Sequence, residues 1–259
     1  MFPKEHGAYG QLAFPLVTSL AVAGVSAPAL LLALAAAAAF LTHEPLLVLV
    51  GGRGVRARRE HGRRAARWLT ATGGVAIVSG ATALWLMPAG ARWSVLLPLA
   101  PAAWFAAALA RTEAKSAPSE VAVALSFSLL AVPLGLAAGA PLRDALAVAA
   151  AYAAIFVTAT LGVRVVILKT RGGGSPAAVR TTRTAALTLV AASGAAIAAA
   201  AVGGLLPWTT LVAAAPGLTA STVLAVGAPS PARLRTVGWT LIGISAAAAL
   251  VLIAGLRSG

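Results

Sequence analysis

The first group of side chains that could do chemistry stands at the N-terminus. Lys4, Glu5, His6, Tyr9 and Gln11 put a cation, a carboxylate, an imidazole, a phenol and an amide within three helical turns. His6 and Tyr9 are three residues apart, so they share one face of a helix. Such a set can bind a polar head group and exchange a proton with it. The alternative is an interfacial anchor, with the lysine and the tyrosine at the depth of the lipid headgroups.

A second group lies inside an apolar run, where an imidazole and a carboxylate are adjacent at His43 and Glu44. Pro45 cannot donate a backbone hydrogen bond and biases Glu44 away from helical angles. If this helix ends near Gly52, His43 lies about 13 Å below the following loop. Ionisable groups inside a membrane are costly, so they mark candidate sites. We predict a polar pocket here; the alternative is a His–Glu pair that satisfies itself between helices.

A third group supplies cations. Arg164 and Arg171 lie two turns apart on nearly one helical face, with Lys169 between them. The guanidinium fork suits phosphate or carboxylate, and more so where the dielectric is low. The alternative is snorkelling to anionic headgroups. The predicted acid–base residues are His6, His43 and Glu44, and the predicted ligand-binding residues are Lys4, Glu5, Tyr9, Gln11, Arg53, Arg56, Arg164, Lys169 and Arg171.

Composition indicates which elements must position these groups. Of 259 residues, 60% are hydrophobic and only 10% are charged, and the mean hydropathy is +0.92. A soluble domain has about 25% charged residues, so a bilayer is the environment that fits. We predict an all-α transmembrane bundle, forming one domain over residues 1–259. The expected spans are about 7–25, 28–52, 67–87, 93–110, 118–139, 145–168, 184–203, 207–227 and 236–256.

The basic residues predict the orientation of this nine-span bundle. With the N-terminus in the cytoplasm, 17 of the 20 Lys and Arg residues fall in inner segments, as the positive-inside rule requires. The C-terminus is then outside. Two inner loops are rich in arginine, at 53–67 and 169–183, and the first could form a basic amphipathic helix on lipid phosphates. We predict no nucleic-acid partner, because no aromatic residues alternate with these arginines.

Several kinds of site are excluded. Cysteine is absent, which excludes disulfides, thiol catalysis and thiolate metal sites. The single aspartate, Asp144, falls on the outer side, so no Asp-rich motif is present to chelate magnesium diphosphate. We predict no metal and no other cofactor, the alternative being a haem or metal ion between His6 and His43.

The N-terminal residues resemble a known family. The run Pro3-Lys-Glu-His-Gly-Ala-Tyr9, followed by Pro15 in the same helix, resembles the opening of the YwiC-like bacterial membrane proteins. The Glu44-Pro45-Leu-Leu-Val-Leu stretch with its basic tail is similar to the second helix of that family. The resemblance covers about the first 70 residues and implies a protein of the bacterial cytoplasmic membrane.

The nine-helix layout also resembles the UbiA superfamily of intramembrane prenyltransferases. Those enzymes carry Asp-rich motifs at the ends of helices 2 and 6, where this chain has none. The residues at the corresponding positions are His43, Glu44, Arg53, Arg164, Lys169 and Arg171. A shared layout does not transfer the reaction, and magnesium-dependent ionisation of a diphosphate is therefore not implied.

Three functions agree with these patterns. The first is a basic intramembrane pocket, open to the cytoplasm, that binds an amphipathic anion such as a prenyl or lipid phosphate or a quinone precursor; a divergent UbiA-like enzyme falls in this class. The second is a proton-coupled or anion transporter, which an intramembrane His–Glu pair and proline-containing helices favour. The third is a structural partner of a membrane complex. Membrane lipids are partners in every case.

Overall fold

The computed structural model describes residues 6–110, 116–170, 175–227, 229–230 and 234–258. Within those ranges the chain is helical and has no strand, which confirms the predicted all-α fold. The helices are α1 (His6–Ala23), α2 (Ala27–Leu49), α3 (Val55–Leu86), α4 (Leu96–Ala110), α5 (Ala117–Leu129), α6 (Ala131–Ala137), α7 (Leu142–Thr170), α8 (Pro176–Val202), α9 (Trp208–Gly227) and α10 (Leu234–Arg257), with a 3-10 helix at Ala89–Val95.

Serine caps begin three of these helices. Ser26, Ser116 and Ser175 directly precede α2, α5 and α8, and each side chain accepts a hydrogen bond from the backbone N–H three residues on. A proline occupies the first or second helical position in each case, where a missing N–H costs little. Helix α8 therefore begins at Pro176, eight residues before the expected span, because the cap and the proline start it in the basic segment.

Seven helical segments are long and apolar enough to cross a membrane: α2, α3, α5 together with α6, α7, α8, α9 and α10. Helix α1 has 18 residues and α4 has 15, so both are short for a full crossing of about 20 residues. All nine predicted segments are helical. The chain is thus a multi-pass membrane protein, and its orientation in the membrane remains a prediction.

Helix α7 lies at the centre of the bundle and packs against α1, α5, α6, α8, α9 and α10. Tyr152 on α7 is fully buried, and its hydroxyl lies 2.7 Å from Oγ1 of Thr18 on α1. A Cβ atom added at Gly217 of α9 would lie 2.6 Å from Cγ1 of Ile155. Hydrogen bonds and small residues thus hold the helices together, as expected where the surrounding lipid is as apolar as the core.

Helices α2 and α3 form a hairpin, and α3 packs chiefly against α2. Helix α2 ends at Leu49, three residues before the expected end near Gly52, and α3 begins at Val55. The basic segment at 53–67, expected as an inner loop that could form an amphipathic helix, is helical from Val55 onward. It is not a separate surface helix, because those residues are the first turns of a 32-residue helix that continues into the membrane span without a break. Alanine and arginine both favour helix, and Gly62 does not interrupt it.

Candidate functional site

The centre of the candidate site is an ion pair between Glu44 and Arg53. Arg53 donates from Nε to Oε1 of Glu44 at 2.9 Å and from Nη2 to Oε2 at 2.6 Å. The carboxylate is nearly buried, since the Glu44 side chain is 10% exposed and that of Arg53 is 32% exposed. This two-point geometry is the strongest form of an arginine–carboxylate contact.

The turn after α2 brings Arg53 back to Glu44. Gly51 and Gly54 adopt φ values of 84° and 90°, which side chains with a Cβ rarely tolerate. The turn therefore reverses the chain within a few residues and returns Arg53 along the end of α2. Glu44 lies about 8 Å from the end of that helix, at 1.5 Å per residue, within reach of the returning guanidinium.

His43 lies beside this pair and contacts an aromatic ring of α4. Its ring centroid is 5.6 Å from that of Phe105. Because α2 ends at Leu49, His43 lies about 9 Å inside the helix end rather than the expected 13 Å. The expected departure of Glu44 from helical angles is also wrong. Helix α2 runs through Pro45 without a break, since membrane helices accommodate proline through local adjustment of the backbone.

A chain of aromatic rings joins the N-terminal group to this region. The ring of Tyr9 on α1 meets that of Phe40 on α2 edge-on at 5.0 Å. Phe40 in turn meets Phe127 of α5 at 5.7 Å. Phe40 stands one turn before His43 on α2, so the first and second predicted groups are brought to the same end of the bundle. Gln11 is half-buried on α1.

Three residues predicted for the N-terminal and basic groups cannot be placed. Lys4, Glu5 and Arg171 lie outside the described residues. His6 is the first residue of α1, and only its backbone is described.

The third predicted group is held by a different ion pair. Nη1 of Arg164 on α7 lies 2.9 Å from Oε2 of Glu120 on α5. Lys169 is exposed near the end of α7. Arg164 thus pairs with a carboxylate of the protein itself, whereas the sequence interpretation gave it an external anion. Arg56 is also paired, with Glu60 one turn along α3 at 2.7 Å, and its side chain is 91% exposed.

Comparison with protein families gives one match. The model of a family described as YwiC-like protein matches residues 2–134, just over half of the chain. The chain belongs to the YwiC-like protein family. The matched region runs from α1 into α6, well beyond the first 70 residues that suggested the family. No curated protein and no solved structure matches the chain significantly, and the likeness to the UbiA superfamily remains a prediction.

The family region contains nearly every contact of the candidate site. It includes Tyr9, Glu44, Arg53, Phe105 and Glu120. Arg164 and Lys169 fall after it. The Glu44–Arg53 pair with its aromatic surroundings therefore lies wholly within the part of the chain that matches the family model.

Four residues of the site were missed by the sequence interpretation: Phe40, Phe105, Phe127 and Glu120. The three phenylalanines gave no signal, because an aromatic residue in an apolar helix is typical of lipid-facing and core positions alike. Glu120 did give a signal in the sequence. It is an acidic residue in the first turn of α5, and a charge at a membrane entry normally has a partner of opposite sign. Pairing it with Arg164 would have been possible on that ground.

Proposed function

We propose that the protein binds an amphipathic anion, a prenyl or lipid phosphate or a quinone precursor, at the cytoplasmic ends of α1, α2 and α4. The anionic head binds Arg53, and the apolar tail lies along the helices. The observation that carries this proposal is the two-point hydrogen bond from Arg53 to the nearly buried Glu44. A guanidinium fork held at the edge of the bundle is already arranged for a carboxylate or phosphate.

Burial explains why Glu44 suits the position opposite that fork. A lone carboxylate at the depth of Glu44 would be an uncompensated charge, which costs several kcal/mol. Arg53, whose side chain is 32% exposed, neutralises that carboxylate while no ligand is bound. An incoming phosphate reaches the exposed part of Arg53 and competes with the Glu44 carboxylate for the same guanidinium.

The aromatic rings suit the apolar part of such a ligand. Tyr9, Phe40 and Phe127 form an edge-to-face series across α1, α2 and α5. Edge-to-face contacts leave ring faces on which an isoprenoid or a quinone ring can pack. A ligand lying there would have its head near Arg53 and its tail directed into the bilayer.

His43 gives the site acid–base capability. Its imidazole precedes Glu44 on α2 and packs against Phe105, which fixes the position of the ring. Histidine is the side chain best suited to proton exchange near neutral pH. Proton transfer to or from the bound head group is the reaction chemistry that this arrangement supports.

Native mass spectrometry of the protein purified in mild detergent from its own membranes tests the proposal. The test variant is Glu44→Gln/Arg53→Gln, which removes both charges and leaves neither stranded. The matched control is Arg56→Gln/Glu60→Gln, which removes the same two residue types from the exposed pair on α3. We expect wild type and the control to retain a defined amphipathic anion that the test variant loses.

Equal retention by all three proteins would contradict the proposal, because the adduct would then bind elsewhere. A wild-type protein that carries no such adduct, and takes up none when farnesyl phosphate is added, would contradict it as well.

Transport is the second candidate function, favoured by the position of Glu44 inside a candidate span, where the residue is only 7% exposed. A carboxylate there can carry a proton across part of the membrane. Proteoliposomes with an internal pH dye would show proton flux in wild type and none in Glu44→Gln. The absence of flux in wild type, across a panel of small anions, would contradict transport and leave binding as the function.

A further inference from the structure

The N-terminal part of α3 projects from the membrane as an arginine arm, which we define as residues 55–67. Trp68 and Trp85 stand near the two ends of the apolar part of this helix. The rise between them is about 26 Å, close to the roughly 30 Å of the hydrocarbon layer. Tryptophan favours the two membrane interfaces, so the arm extends about 20 Å beyond the level of Trp68.

One face of α3 packs on α2 and the opposite face is open. The residues on the packed face are Ala65, Thr72, Ser79 and Ala83, all buried. On the opposite face Ile77, Val78 and Trp85 have exposed fractions of 73%, 67% and 77%. These apolar side chains face away from the protein, where a bilayer supplies lipid.

The arginines of the arm continue that lipid-facing side. Arg67 and Trp85 are 18 residues, or five whole turns, apart, so they point in the same direction. Going outward from Arg67, the same face carries Arg63, Arg59 and Arg56, three or four residues apart and all exposed. We call these four residues the arginine stripe.

Like charges at this spacing repel one another and destabilise a helix. The repulsion on Arg56 is offset by its ion pair with Glu60. Among the residues that the structure describes, no carboxylate pairs with Arg59, Arg63 or Arg67. Arg59, Arg63 and Arg67 are therefore available to anions from outside the chain.

The four arginines of the stripe differ in their height above the membrane. At 1.5 Å per residue, Arg67 and Arg63 stand about 2 and about 8 Å beyond Trp68, and Arg59 and Arg56 about 14 and about 18 Å. The headgroup layer on each side is roughly 5–8 Å thick. Side chains tilt toward the N-terminus of their helix, which here carries them outward. Only Arg67 and Arg63 therefore lie at the level of lipid phosphates.

We propose that Arg63 and Arg67 form a binding site for the phosphate of anionic phospholipids in the leaflet that meets the N-terminal end of α3. The site lies on the outer surface of the α2–α3 hairpin, separate from the Glu44–Arg53 pair, and its ligand is a bilayer lipid. Its role is to hold a lipid against the face that carries Ile77, Val78 and Trp85.

Two double variants of equal charge test this site. Arg63→Gln/Arg67→Gln removes the membrane-proximal pair, and Arg56→Gln/Arg59→Gln removes the distal pair of the same stripe. Arg58→Gln is a further control, because Arg58 is exposed on the other side of the helix. Glutamine favours helix about as well as arginine, and circular dichroism checks that each variant is folded. The affinity for phosphatidylglycerol and for phosphatidylcholine is measured by titration in native mass spectrometry.

A basic residue near an anionic surface contributes about 1 kcal/mol, or roughly fivefold in affinity. We expect the phosphatidylglycerol affinity to fall about fivefold for each proximal arginine removed. We expect less than a twofold change in the distal variant and none in Arg58→Gln or toward phosphatidylcholine. Glycerol phosphate in solution should not compete, which would assign the site to lipid and not to free phosphate.

Equal losses in the proximal and distal variants would overturn the proposal, since total charge alone would then explain binding. Unchanged phosphatidylglycerol affinity in the proximal variant would overturn it too. Stronger binding of an acidic soluble protein by the distal arginines, with lipid affinity unchanged in every variant, would assign the stripe to a protein partner instead.

Discussion

The Glu44–Arg53 and Arg56–Glu60 pairs have the same chemistry and stand a few residues apart, yet they differ in their surroundings. In the first, the carboxylate side chain is 10% exposed and accepts two hydrogen bonds. In the second, the arginine side chain is 91% exposed and makes one such bond along a helix. Burial makes the first pair costly to break, because removing one partner strands a charge. Water screens the second pair, so removing one of its partners should change the free energy of unfolding very little. This contrast is why we propose the first pair as the site.

The largest effect is expected for Arg53→Gln. This change leaves the Glu44 carboxylate without its guanidinium in a nearly buried position, so the free energy of unfolding should fall by about 3 kcal/mol. Unfolding by sodium dodecyl sulfate in mixed micelles measures it. The Glu44→Gln/Arg53→Gln double variant should recover most of the loss, and a double variant no more stable than the single one would show that charge burial is not the cause.

An intermediate effect is expected for Arg164→Gln. The Arg164 and Glu120 side chains are 23% and 38% exposed, so water screens the charge that is left behind. The loss should be about 1 kcal/mol in the same unfolding assay. A loss as large as that of Arg53→Gln would mean that the two pairs are equally buried within the membrane.

A smaller effect is expected where the contact is polar but carries no charge. The Tyr152 hydroxyl bonds Thr18 on α1 and lies 3.4 Å from the carbonyl oxygen of Ser245 on α10. Hydrogen bonds between membrane helices contribute about 0.6 kcal/mol on average, so Tyr152→Phe should cost about that much. Thermal unfolding in detergent, compared with Thr18→Val, checks whether the two variants remove the same bond.

The smallest effect is expected for Arg56→Gln. Its exposed pair with Glu60 should contribute less than about 0.5 kcal/mol, and that contribution should disappear in 0.5 M salt because exposed charges are screened. A salt-insensitive loss above 1 kcal/mol would mean that the arm packs against another part of the protein.

The sequence predicted the membrane class and the helices well, because hydropathy is a local property of the chain. It predicted the ends of α2 and α3 poorly. The glycine turn at 51–54 stops α2 three residues early, and the basic segment that follows is apolar-poor yet strongly helix-forming. The prediction allowed an amphipathic helix in that segment but not its continuation into the membrane span. Hydropathy reports where a helix enters lipid, whereas helix propensity and capping decide where it begins.

The candidate site was predicted in part. His43 and Glu44 were found because ionisable residues in an apolar run stand out in a sequence. The partner of Glu44 was named among the ligand-binding residues, but the direct bond between the two depends on a turn with positive φ at Gly51 and Gly54. The pairing of Arg164 with Glu120 depends on how α5 and α7 pack, and single-sequence patterns do not report packing between distant helices.

Whether the Glu44–Arg53 pair binds an anion is tested most directly by the shift in unfolding temperature that farnesyl phosphate and farnesol cause. The two probes share the tail and differ in the charged head. We predict that farnesyl phosphate stabilises wild type and Arg56→Gln/Glu60→Gln, that farnesol stabilises neither, and that Glu44→Gln/Arg53→Gln responds to neither probe. An equal response of both double variants to farnesyl phosphate would contradict anion binding at the Glu44–Arg53 pair.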